Sequence, residues 1–210
     1  VFSIQSYKKS YNGRTILSIP NLNLTTGIYW IKGVNGSGKS TLFQSIAQYI
    51  PHQGYFTLDA IRGDLSSRIF LKKLSYSEAE PQFPPFLTQK ELLLFTAQCR
   101  GIDFKLMQEL AELFSTTDYW NNPVHTYSSG MLKKTGLIMA LAGRQSLVIL
   151  DEPFTTIDDT SRDLLKKHIR TSQQKDGTMF LISSHEDAQA YALPYTASYE
   201  IKNQQLILCK

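Results

Sequence analysis

Residues 33–41 read GVNGSGKST. Gly33, Gly38, Lys39 and Ser40 fall on the spacing G-x-x-x-x-G-K-[ST], which suits a backbone that curls around phosphate. Glycines let successive N–H groups turn inward, and a helix N-terminus behind them adds favourable partial charge. The lysine reaches the β- and γ-phosphates and the Ser40 hydroxyl is a Mg²⁺ ligand. Asn35, Gly36, Ser37 and Thr41 complete the loop.

Working outward, the flanks fit that role. GIYWIKG (27–33) is an apolar β run leading into the loop. STLFQSIAQYI (40–50) carries Leu42, Phe43, Ile46, Ala47 and Ile50 at helical spacing, and Pro51 predicts its end. TILSIPNLNL, GYFTLD, LKKLSYS, SLVILDEP and TMFLISSHE read as further strands. A helical pattern runs from LTQKELLLFTAQCRG to YWNNP with breaks at Gly101 and Pro123, and SSGMLKKTGLIMALAGR is a third helix. Strands flanked by helices, with phosphate chemistry at strand ends, predict an α/β fold with a mostly parallel sheet.

Composition sets bounds. The 210 residues suffice for one domain with a substantial core, at 42% hydrophobic and 19% charged. A net charge of +4, with Lys and Arg scattered, argues against a nucleic-acid partner. Two cysteines give no disulfide framework and suit a reducing compartment. The opening VFSIQSYKKS lacks the apolar run of a signal peptide, and no apolar stretch approaches the roughly 20 residues of a membrane span.

Three more segments carry chemistry. LVILDEP ends an apolar strand with Asp151 and Glu152, a Mg²⁺ carboxylate and a general base for an attacking water. FLISSHE places His185 at another strand end, on the same edge of a parallel sheet. YSSGMLKK puts Ser128, Ser129 and Gly130 before a helix, which makes a second anion-binding helix start. One chain with one phosphate loop has little use for a second such site, unless two copies face each other and share them.

With these motifs in this order, the chain resembles the nucleotide-binding subunit of ATP-binding-cassette (ABC) transporters, and the resemblance spans essentially all of it. It implies a P-loop NTPase (RecA-like) core, an antiparallel β subdomain and an inserted helical subdomain. The core then covers 1–86 and 146–210, and the helical part about 87–145 of a single domain. Residues 33–41 match Walker A, LVILDEP Walker B, YSSGM the signature otherwise written LSGGQ, and FTTID the D-loop ending at Asp158. His185 matches the switch histidine, and Tyr11 the aromatic that stacks on adenine. The resemblance implies ATP and Mg²⁺, with each ATP sandwiched between two subunits, in a homodimer or heterodimer. It further implies membrane-spanning partner subunits and a place on the inner, cytoplasmic face of the cell membrane.

The signature departs from consensus at Tyr127, Ser129 and Met131, and this YSxGM form is similar to export-type cassettes with separate membrane subunits. Where the family has the glutamine of its glutamine loop, this chain has Ala79 between Glu78 and Glu80, with Gln82 three residues on. Either Gln82 takes that role, or a glutamate or water does. A soluble ABC-type ATPase acting on DNA or ribosomes is the alternative function. Such proteins usually carry a long coiled coil before the signature or a second cassette, and neither is present in these residues. The N-K-x-D element of GTPases is absent as well.

Overall fold

The computed structural model describes residues 1–63 and 67–209. Its elements in chain order are β1 (Phe2–Tyr11), β2 (Arg14–Leu24), β3 (Ile28–Lys32), α1 (Lys39–Ile46), β4 (Gln53–Leu58) and β5 (Ile61–Gly63). Next come α2 (Arg68–Lys72), β6 (Leu74–Ser77), α3 (Gln89–Arg100), α4 (Phe104–Leu113), α5 (Ser129–Leu141) and β7 (Leu147–Leu150). The chain continues through α6 (Asp159–Asp176), β8 (Met179–Ser184), β9 (Ala197–Lys202) and β10 (Gln205–Cys209).

The strands form two sheets. One is antiparallel, in the order β2-β1-β4-β5. The other runs β10-β9-β3-β8-β7-β6, parallel except for β10 at its edge. The parallel strands are buried on both faces, and the period of two sorts their side chains. Ile28, Trp30, Val148, Leu150, Phe180 and Ile182 enter one core, with residues of α3, α4, α5 and α6. Their neighbours Tyr29, Ile31, Leu147, Ile149, Leu181 and Met179 enter a second core, with α1 and the antiparallel sheet. The central sheet is therefore the middle layer of three. Its carboxyl edge, where β3, β7 and β8 end, is left to the loops.

Three boundaries differ from the periodicity. α1 stops at Ile46, not at Pro51. Gln48 takes φ 63°, and its side-chain amide donates to the Ser45 and Ile46 carbonyls, which closes the helix early. α4 ends at Leu113, well before Pro123, where Ser115 turns to φ 53°. LKKLSYS is not one strand. Leu71 and Lys72 belong to α2, capped by the Ser67 side chain, and β6 begins only at Leu74. α3 ends as predicted, with Gly101 in the left-handed region at φ 67°.

Candidate functional site

The loop after β3 turns back on itself and runs into α1. Gly36 and Gly38 adopt φ 77° and 108°, a region costly for side chains with a Cβ. Lys39 is buried, and its Nζ donates to the Gly33 carbonyl at 2.7 Å. A cavity of about 380 Å³ lies over this turn, walled by Asn35, Lys39, Ser40, Thr41, Glu152 and His185. The phosphate loop, the strand-end glutamate and the histidine thus share one cleft, although they come from three separate strands.

β7 delivers the two carboxylates to different environments. Asp151 is 1% exposed. Its carboxylate accepts hydrogen bonds from Ser183 Oγ and from Tyr76 Oη at 3.4 Å. Burial, then the Asp151 charge, holds the Tyr76 hydroxyl far above its ordinary pKa, so it stays a donor. Glu152 sits in the left-handed region at φ 47°. Its N–H donates to Ser183 Oγ at 2.9 Å. Its carboxylate lies 3.6 Å from Lys39 Nζ and 2.7 Å from His185 Nε2. Non-glycine residues held at such angles cluster at functional sites, where surrounding bonds fix them. The Ser183 hydroxyl does so here: it accepts from the Glu152 N–H and donates to the Asp151 carboxylate.

The loop after β6 forms the remaining wall. A second cavity, of about 470 Å³, joins Ser40, Asp151, Glu78, Ala79, Glu80 and Gln82. Burial and the charge of Asp151 raise the pKa of Glu78. Among the described residues, no three His, Cys, Asp or Glu side chains gather as a metal-binding set. Ser40 and Asp151 on one cavity wall fit Mg²⁺ of the kind that keeps its waters and takes most other ligands from phosphate.

Ser128, Ser129 and Gly130 stand at the start of α5. Ser128 is its N-cap, accepting from the Met131 N–H at 3.3 Å, while Met131 Sδ accepts from the Ser128 N–H at 3.5 Å. Ser128 and Ser129 are exposed. A Cβ on Gly130 would lie 2.7 Å from the Thr156 carbonyl, so only glycine lets the D-loop backbone pass this close. Asp158 caps α6 through the Ser161 N–H at 2.8 Å and pairs with Lys134 of α5 at 2.7 Å. These residues are not among those walling the 380 Å³ cleft. They form a separate, outward-facing patch.

Tyr11 is half-exposed at the end of β1, with Lys9 Nζ 4.4 Å from its ring centroid. It pairs across the hairpin with Arg14, which lines a cleft of about 670 Å³ running past Gly36. Tyr7 is closed to a base: it is 1% exposed and bonded to Ser45 Oγ.

Sequence reasoning missed Ser183, Tyr76 and Lys133. Lys133, 1% exposed in α5, donates to the carbonyls of Glu78, Ala79 and Asp151 at 2.9, 3.0 and 2.6 Å. Burial pulls its ammonium down to about 8. The two serines of ISSHE were a signal for Ser183; nothing in the sequence marked Lys133.

Residues 20–155 match the ABC transporter family model. This chain belongs to the ABC transporter family. It is 28% identical over 186 residues to the lantibiotic transport ATP-binding protein SrtF of Streptococcus pyogenes, covering 88% of this chain and 80% of SrtF. Identity is also 28% over 188 residues to the uncharacterized ABC transporter ATP-binding protein YdbJ of Bacillus subtilis (strain 168), where 88% of this chain spans 61% of that relative. The ATP-binding cassette MJ0796, in a dimeric post-hydrolysis state bound to ADP and Pi, superposes with a TM-score of 0.81 at 20% identity, covering 98% of this chain and 96% of that one. At that identity the likeness shows the fold. It is that of an ABC ATPase cassette. No helix among the described residues of this family member is long and apolar enough to cross a membrane.

Proposed function

We propose that this ABC cassette hydrolyses ATP as the motor subunit of a transporter, driving cargo through separate membrane-spanning subunits. The single observation that carries it is the joining of Lys39, Glu152 and His185 around one cleft. Residues 33–41 hold the phosphates, and Tyr11 stacks on the base. Mg²⁺ would be held by Ser40 and, through water, by Asp151, and would neutralise phosphate charge. Glu152 accepts a proton from water as the water oxygen bonds the γ-phosphorus. The bond from that phosphorus to the β–γ bridging oxygen breaks, and ADP leaves with the electron pair. His185 holds the Glu152 carboxylate in its orientation. Lys39 balances charge on the γ-phosphate.

The γ-phosphate's far side is covered by a second cassette, which brings its own Ser128, Gly130 amide and helix start. Donors from a partner add strength to a highly charged contact. Loss of the γ-phosphate removes that attachment, so hydrolysis opens the pair. Asp158, paired with Lys134 of α5, keeps the D-loop beside the signature. Gln82 is the proposed glutamine-loop residue, since it shares the cavity of Ser40 and Asp151. Export is the proposed direction, and it rests on Tyr127 and Met131 of the signature alone.

The membrane partner docks on the segment PQFPPFLT (81–88). Its prolines do not hold it extended throughout: the Leu87 N–H donates to the Pro84 carbonyl at 3.1 Å across a turn at Pro85 and Phe86, where Phe86 is 74% exposed and Phe83 is half-buried beside Leu87 and Tyr127. A cysteine at Gln82, in a chain with Cys99 and Cys209 replaced, should cross-link to a membrane-spanning subunit in the assembled complex. Labelling of the cassette alone would rule out this docking site.

A further inference from the structure

Three buried contacts fasten α5 to the strand and loop that border the Asp151 cavity. The ammonium of Lys133 uses its three N–H donors on three carbonyls, those of Glu78, Ala79 and Asp151. One turn further along α5, a Cβ on Gly136 would lie 2.8 Å from Pro81 Cγ, so the helix seats directly on the loop. Near the end of α5, Ser75 Oγ of β6 donates to the Ala140 carbonyl at 2.6 Å. Apolar packing alone would hold a helix to a sheet. A buried charge is costly unless its bonds are all made, and here it bridges segments of no regular structure.

Those segments belong to one nucleotide site. Glu78, Ala79, Glu80, Gln82 and Asp151 wall the cavity that holds Ser40. The same helix starts with Ser128 and Gly130, which are not among the residues lining that cavity. We propose that Lys133 is a positioning residue for hydrolysis, locking the 78–82 loop and Asp151 of one ATP site in register with the signature offered to the other. The inference rests on the two-cassette reading above. Lys133 touches neither nucleotide, and it acts through the loop and strand end that it binds. Its removal leaves three carbonyls short of a donor and frees α5 to shift against the loop.

Lys133→Met keeps the stem and deletes the ammonium. Mg-ATP affinity of the monomer, read with a fluorescent analogue, should stay within about twofold, because residues 33–41 are untouched. Turnover should fall about tenfold or more with KM nearly unchanged, as expected when bonds to a charged group are lost. In a Glu152→Gln background, the ATP-dependent dimer should weaken by about tenfold. Amide hydrogen exchange at 78–82 should quicken while β3 and β8 keep their protection, which a general loss of fold would not produce. If the methionine variant fails to fold, Lys133→Gln, with an amide donor on a shorter stem, carries the same readouts.

A Glu152→Gln dimer that forms and ignores the Lys133 change overturns the inference and leaves the two-cassette reading standing. Absence of any Glu152→Gln dimer sinks self-pairing instead, leaving a heterodimer or closure that needs the membrane partner. Lys133 is then judged on turnover and exchange at 78–82, and no change in either overturns it.

Discussion

As the proposed adenine contact, Tyr11 offers a flat ring and no base-specific hydrogen bond, so affinity with modest discrimination between ATP and GTP is the expected outcome. Its partial exposure leaves room for a base, and Tyr7, buried against Ser45, offers no substitute. Tyr11→Ala should weaken ATP by about 1–3 kcal/mol, the range for one base on one ring. Titration with a fluorescent nucleotide measures it, and unchanged affinity would move the base to the cleft beside Arg14. At this scale the residues fixed by chemical type were legible in the sequence. Lys39, the loop glycines and Glu152 border one cleft, and Asp151 borders the adjoining cavity that shares Ser40 with it. Lys133 was not legible, because its partners are three backbone carbonyls. Those partners belong to the path of the chain and have no letter in the sequence.

Among the elements, α6 shows how a polar helix escapes periodicity. Only Ser161, Leu165 and Ile169 are buried across its length, a stripe one residue wide at i, i+4, i+8. The β9–β10 hairpin was equally quiet. Asn203 and Gln204 turn it at φ 51° and 62° without the glycine that usually marks such a turn. The strands leading to Walker A and Walker B were legible because burial on both faces leaves them uniformly apolar.

Asp158 anchors the start of α6 and ties it to α5. Its bond to Lys134, then the Ser161 N–H, holds its carboxyl well below the usual range. A depressed folded pKa contributes stability above the unfolded value of about 4. That contribution is lost as pH falls through the folded value. Asp158→Asn should therefore melt at lower temperature than the parent at pH 6. The two should converge as pH drops from about 4 towards 2, the window set by the carboxylate reference value. Thermal unfolding followed by circular dichroism across that range checks it, and a constant gap would assign the effect to capping alone.

At the scale of the whole molecule, the phosphate-loop cleft and the Ser128–Gly130 patch lie on different parts of one surface. Two copies related by a two-fold axis can each place the patch of one over the cleft of the other. The central claim is that ATP holds such a pair together and hydrolysis releases it. Light scattering after size-exclusion chromatography tests this with Glu152→Gln, which should bind Mg-ATP and barely turn it over. The expected result is a dimer in Mg-ATP and a monomer in ADP. Adding Ser128→Arg, which obstructs only the facing site, should return the protein to monomer while it still binds nucleotide. A dimer indifferent to Ser128→Arg would contradict it, and a Glu152→Gln chain that stays monomeric at saturating ATP would contradict self-pairing, leaving a heterodimer with another cassette or closure that needs the membrane partner.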